Sequence, residues 1–401
     1  MNTFPDRLLI EARDASIQLE QLAVDDLDRN IDGYLQPNWR TRRMIESWRS
    51  YVASNGRSTE ADYANFRSAY SETEGRSNKV FSDVLASHIR NIPYDMATTV
   101  FSDYVKKPGD KGDTAVTMLN GEDGEDQNAD AWAKVINGAA RHLELYGWWK
   151  SKVLLPDTIV KSLSNKIMNQ LVKDNGDAVQ AAVEGKDGAP MQIKLNSRFA
   201  TSFDEMYEIA SDPLLMSIVQ AYMGVPPIFN TPVSILNSFV KAKNTKALSD
   251  TAQLFHHDMH RLGFVKVFVY LTDVELSSGP HTLVRGTHRK RPPHLWADGR
   301  HSDDAIAQAG LADDVVQITG KAGTVMLVDT SCLHKGAHPE SESRLLASIQ
   351  YTNSLFGKPI AMSDRKVETS LTSRNEGIHE VAALVRKYAM KSGARFMQNF
   401  I

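Results

Sequence analysis

The residues able to do chemistry sit in two short stretches, QLFHHDMH at 253–260 and GTVMLVDTSCLHKG at 323–336. In a strand, side chains two apart share a face, so His256 and Asp258 can aim an imidazole and a carboxylate at one point. His334, following a short strand predicted from Gly323 and lying just before Gly336, can bring a third donor. Two histidines and one carboxylate fill one face of an octahedral iron and leave three positions open. A structural zinc site would be closed instead. Arg344 lies ten residues after His334, and Ser348 four after Arg344. On a strand both point the same way, with Leu346 and Gln350. A guanidinium holds a carboxylate by two parallel hydrogen bonds, and a hydroxyl beside it can add another. The pattern therefore suits a co-substrate such as 2-oxoglutarate, chelating through two open positions while O2 takes the third. The triplet HxD alone occurs by chance; the downstream His and the Arg after it make the signal specific.

Neighbouring residues have blander readings. His257 should face away from its two neighbours and serve the core. His260 could form an HxxxH pair with His256 on a helix, a zinc pattern, but the aromatic and β-branched text around it favours extended chain. His281 and His288 lie in turns and read as structural. Lys266 shares a strand face with Tyr270 and could either reach a carboxylate or be solvated. Asn237 and Lys241, on the preceding strand, are either polar co-substrate contacts or a solvated strand end. Cys332 reads as a small buried hydrophobe, and Trp148-Trp149 as core.

Stepping outward, the elements that must position these residues change character along the chain. To about residue 105 the text is helical, with apolar spacing over Ile17–Leu27 and Asn78–Ile92. Residues 107–130, rich in Gly, Asp and Glu, read as a solvated connector because their spacing does not match a calcium loop. Ala131–Tyr146 is a predicted helix closed by Gly147. Pro156 and Asp157 open another, with Ile159, Leu163 and Ile167 on one face. Asp212 caps a third, with Pro213 in its first turn and Gly224 at its end. Strands are predicted at Val233–Ala242, Phe264–Thr272, Thr324–Asp329 and Leu345–Thr352, separated by Gly/Pro/Ser turns and by a polar excursion at 291–314. Many short strands suggest an antiparallel sandwich or barrel. Helical spacing returns at Glu376–Lys391.

Composition bounds the rest. The chain has 401 residues, 42% hydrophobic and 24% charged, enough apolar material for a full core. A net charge of −3 gives no argument for nucleic acid or an anionic membrane. The N-terminus lacks a secretory h-region, and no apolar run spans a bilayer. A single cysteine excludes an intramolecular disulfide and a thiolate zinc site, and fits a reducing cytoplasm.

The runs at 253–290 and 323–344, with the lead-in SDPLLMSIVQAYMG at 211–224, resemble the phytanoyl-CoA dioxygenase (PhyH) family of Fe(II)/2-oxoglutarate oxygenases. The likeness covers about residues 135–360. It implies an α+β chain built on a double-stranded β-helix, or jelly roll. It implies iron held by His256, Asp258 and His334, 2-oxoglutarate held by Arg344 and Ser348, and Tyr270 as an aromatic neighbour of the co-substrate. Arg285 stands where the family usually has Pro, a change in a loop and not in a ligand. The expected organisation is a helical extension with its connector over 1–130, a catalytic domain over 131–360, and a helical tail over 361–401. The activity implied is hydroxylation of a small metabolite or biosynthetic intermediate, since the halogenases of this class are expected to lack the carboxylate that Asp258 provides. Desaturation or epimerisation could start from the same radical. A catalytically silent jelly roll that binds a ligand and a zinc hydrolase are the alternatives; no HExxH element supports the latter. A homodimer is left open, and the role of the first 130 residues is not read from the sequence.

Overall fold

The computed structural model describes residues 20–91, 129–195 and 203–359, less residue 55 and the stretches 204, 207–208, 210–211, 225–227 and 241–243. The connector predicted at 107–130 and the helix at Glu376–Lys391 lie outside these residues. The N-terminal part is helical: α1 at 20–34, α2 at Trp39–Ala53, α3 at Glu60–Glu72 and α4 at Arg76–Asn91. Local signals start these helices. Asn38 caps α2 on the Thr41 amide, and Thr59 with Asp62 forms a reciprocal capping box on α3. Next come α5 (Ala129–Tyr146), α6 (Asp157–Val183) and α7 (Pro213–Met223). Gly147 and Gly224 follow α5 and α7 with left-handed backbones, as their positions in the sequence predict.

Among the described residues, nine strands make two antiparallel sheets: β1 Trp148–Lys150, β2 Gln192–Leu195, β3 Ile228–Asn237, β4 Phe264–Tyr270, β5 His281–Val284, β6 Val315–Ile318, β7 Val325–Val328, β8 His334–Gly336 and β9 Arg344–Thr352. The larger sheet runs β1-β7-β4-β9-β3-β2 and the smaller β6-β5-β8. This is the expected jelly roll, as an open sandwich and not a closed barrel. β3 begins earlier than the predicted Val233–Ala242 and ends at Asn237, opposite Arg344. Its register slips between Asn230 and Val233, across Pro232, whose missing N–H cannot join a ladder.

Both faces of the large sheet are covered, which explains the near-continuous apolar text of β4 and β9. Odd-numbered Val265, Val267 and Val269 of β4, with Leu345, Ala347 and Ile349 of β9, pack against α5, α6 and α7. Even-numbered Phe268 and Tyr270, with Met326, Val328 and Leu346, face Leu283 and Ile318 of the small sheet. The inner face therefore carries the site, and Lys266 is the one cation in β4.

A second core joins α1–α4 to the mouth of the sandwich. Trp48 stacks on Phe81 at 5.5 Å and on Phe356 at 6.0 Å, while Phe66 meets Phe356 edge-on at 5.9 Å. Leu262, four residues past Asp258, is buried in the same cluster. Glu20 of α1 accepts the Ser354 hydroxyl, and Asn353 donates to Ser82 of α4 at 3.0 Å. The N-terminal helices thus hold the chain just after the HxD turn, at Leu262, and just after β9, at 353–356.

Candidate metal centre

His256 and Asp258 do not lie on a regular strand, which corrects the sequence reading. His256 forms an isolated antiparallel bridge with His334, its N–H donating to His334 O at 3.0 Å and its carbonyl accepting the His334 N–H at 2.7 Å. The Asp258 amide then donates to Thr330 O at 2.8 Å. The segment is pinned by isolated bridges, Phe255 to His301 and His256 to His334, and by the Asp258 bond, instead of by a ladder. The three side chains still converge. One ligand atom from each of His256, Asp258 and His334 lies within 4.8 Å of the others.

Backbone carbonyls fix the two imidazoles. His256 Nδ1 meets Leu254 O at 3.0 Å and His334 Nδ1 meets Cys332 O at 2.9 Å. A carbonyl can only accept, so each Nδ1 carries the proton and each Nε2 presents a lone pair. Burial, then the neighbouring His334, pushes the His256 pKa down to about 3; burial also lowers that of His334. Both rings are therefore neutral, the form that ligates. Burial alone would raise the Asp258 carboxyl, but the Lys266 ammonium holds it well below the usual range. Lys266 Nζ lies 2.6 Å from Asp258 Oδ2, so of its two sequence readings the structure shows the carboxylate contact. This donor set, two neutral nitrogens and one anionic oxygen, fits a borderline divalent ion.

Arg344 opens the inner face of β9, is 2% exposed, and leaves Nε and Nη1 without a partner among the described residues. Burial lowers its pKa, yet a guanidinium stays charged. A buried cation with unused donors is costly until an anion reaches it, so this head group suits a carboxylate ligand. Gly336 makes room for it: a Cβ there would lie 2.8 Å from Arg344 Nη2. Ser348 lies on the same inner face, opposite Phe268 of β4. Tyr270 is nearby but committed. Its hydroxyl donates to Ile318 O at 2.7 Å and accepts the His281 amide at 2.9 Å, tying β4 to β5 and β6.

His281, read from the sequence as structural, sits on β5 with its ring 5.6 Å from His334 and 4.7 Å from Phe268. Its buried Nε2 has no partner among the described residues. The strand text HTLV could have shown it facing inward, had β5 been recognised. His257 turns away from the triad, as expected, and stacks on Tyr70 of α3 at 5.7 Å. His260 is not a ligand; its Nε2 bonds Gln350 Oε1 at 2.8 Å. Asn237 accepts from Gln192 at 3.0 Å, while Lys241 lies outside the described residues. His288 meets Glu144 O at 3.0 Å, and the buried Cys332 thiol is pushed up to about 12, chiefly by burial. A cavity of about 580 Å³, bordered by Tyr70, Arg261, Phe264, Tyr222 and Asp329, lies beside the HxD turn without including the triad. No helix among the described residues is long and apolar enough to cross a membrane.

Residues 152–344, the stretch that holds this site, match the model of the phytanoyl-CoA dioxygenase (PhyH) family. Among solved structures, the chain is similar to the α-ketoglutarate-dependent epimerase SnoN from nogalamycin biosynthesis, with 16% identity, a TM-score of 0.38, and 55% of this chain and 84% of that one covered. It is similar to the carbocyclase SnoK of the same biosynthesis, with 17% identity, a TM-score of 0.40, and 57% and 87% covered. HygX from Streptomyces hygroscopicus, solved with nickel, 2-oxoglutarate and hygromycin B, shows 14% identity, a TM-score of 0.39, and 54% and 86% covered. No curated protein matches the chain.

Proposed function

We propose that this chain is an Fe(II)/2-oxoglutarate-dependent dioxygenase that hydroxylates an unactivated C–H bond of a small metabolite or biosynthetic intermediate. One observation carries the reading: the convergence of His256, Asp258 and His334 shares an interior with the buried Arg344 guanidinium, whose Nε and Nη1 have no partner among the described residues. Bound iron with 2-oxoglutarate and O2 supplies the oxidising power, while the protein selects the bond. His256 and His334 offer Nε2 lone pairs, oriented by their Nδ1 bonds. Arg344 takes the far carboxylate of 2-oxoglutarate, with Ser348 on the same face and Tyr270 bracing the strands behind. Phe268, Leu346 and Val328 keep water from this interior. The carboxylate at 258 supports hydroxylation over halogenation. The catalytic unit is 131–360, extended by a helical region over 1–130 and a tail over 361–401, and the chain works in the cytoplasm on a small molecule.

The test is a set of incubations with Fe(II), 2-oxoglutarate, O2 and a library of small metabolites. Succinate should form with the wild type and not with His256→Ala, and the product should gain one oxygen atom. A product lacking two hydrogens, or of unchanged mass with inverted stereochemistry, would replace hydroxylation by desaturation or epimerisation. Absence of 2-oxoglutarate binding to the metal-loaded wild type would leave a silent jelly roll.

A further inference from the structure

We propose that Lys266 is a positioning residue for the metal centre: it holds the Asp258 carboxylate so that the metal receives one oxygen, and the position meant for 2-oxoglutarate stays open. The inference rests on the iron reading above and goes beyond it. Lys266 lies in FVKVFVY, a strand otherwise buried and apolar on both faces. Lysine is seldom placed there without a paired charge. Among the described residues its hydrogen-bond partner is Asp258 Oδ2, at 2.6 Å, with both side chains about four-fifths buried, 23% and 21% exposed. The same oxygen lies 3.9 Å from His334 Nε2. That distance is too long for a hydrogen bond, so the ammonium is the group that holds the carboxylate beside the imidazole.

The surroundings leave Lys266 this task. Gln350, its cross-strand partner, is already engaged by His260. A carboxylate offers about four lone-pair sites and can chelate a metal through both oxygens. An ammonium on one oxygen competes with that mode and fixes the plane of the group. Bidentate Asp258 would take a coordination position that the keto acid needs. The three-ligand face therefore depends on a residue eight positions downstream that does not touch the metal.

Co(II) serves as the probe, because its visible absorption reports coordination number before and after 2-oxoglutarate is added. Wild type, Lys266→Met and Lys266→Arg are compared, with melting temperatures as a check on folding. The Met variant should keep Co(II), show a changed spectrum without 2-oxoglutarate, and bind 2-oxoglutarate about tenfold or more weakly, the scale of one charge-assisted bond. The Arg variant should recover most of that loss. An unchanged 2-oxoglutarate affinity in Lys266→Met overturns the proposal. So does weakened affinity with an unaltered Co(II) spectrum, which would place Lys266 on the co-substrate instead. Wild-type protein that takes neither Co(II) nor 2-oxoglutarate overturns the iron reading itself. If the Met variant does not fold, Lys266→Gln is judged by the same outcomes.

Discussion

Arg344 and Gly336 show how much one missing methyl can decide. The guanidinium passes over Gly336, where a Cβ would come within 2.8 Å of Nη2. That neighbour is the end of a flexible side chain, so Gly336→Ala should move the head group without breaking β8. Two aligned N–H donors then become misdirected, and 2-oxoglutarate should bind about tenfold or more weakly, with little change in melting temperature. Calorimetric titration of metal-loaded protein checks this; equal affinities would show that Arg344 does not hold the co-substrate. His256→Ala removes a ligand outright and should abolish stoichiometric metal binding, which metal analysis after dialysis can measure. Retained stoichiometry would dismiss His256 as a ligand. At this scale the sequence was informative, because HxD, the later His and the Arg are each recognisable over short spans. Lys266 was half legible, its carboxylate contact being one of two readings left open, and His281 was not, since its place depends on cross-strand neighbours far apart in the chain.

Among the elements, helix ends were legible wherever a cap or glycine marked them, as at Asp212 and Gly224. The inner and outer faces of β4 and β9 were harder, because burial on both sides removes the polar alternation that distinguishes them. The HxD segment was misread as a strand for a different reason: it is held by isolated bridges to His301 and His334 and by the stacking of Tyr70 of α3 on His257, partners far off in the sequence. That support makes a prediction about elements. Phe356, fully buried among Trp48, Tyr51 and Phe66, joins the segment after β9 to α2 and α3. Phe356→Ala should cost about 3–5 kcal/mol in urea unfolding. It should also weaken metal binding at a distance, because Leu262 belongs to the same cluster. A variant that unfolds like wild type would show that the N-terminal helices are not coupled to the mouth of the sandwich.

At the scale of the whole molecule, buried ionisable groups set opposing responses to pH. Burial presses His260 down to about 4 and His257 lower still, so folding excludes protons that the unfolded chain accepts below about 6.5. Their effect is a stability lost as pH falls from 6.5 toward the folded values. Glu20 behaves the other way. Burial raises it to about 7 from 4.5, against the lowering bonds from Ser354 and Tyr51. Its contribution is full below 4.5 and is lost as pH rises through 7. Between 4.5 and 6.5 the two histidines and the one carboxyl therefore pull in opposite directions, each worth about 1.4 kcal/mol per pH unit. Glu20→Gln keeps the shape and hydrogen-bonding capacity of the protonated acid but cannot release its proton. Urea unfolding of the metal-free protein across this range should show stability falling more steeply with acid in the variant, by about 1.4 kcal/mol per pH unit. Parallel curves would mean that Glu20 is ionised in the folded protein and that the contact of α1 with Ser354 is a charged one.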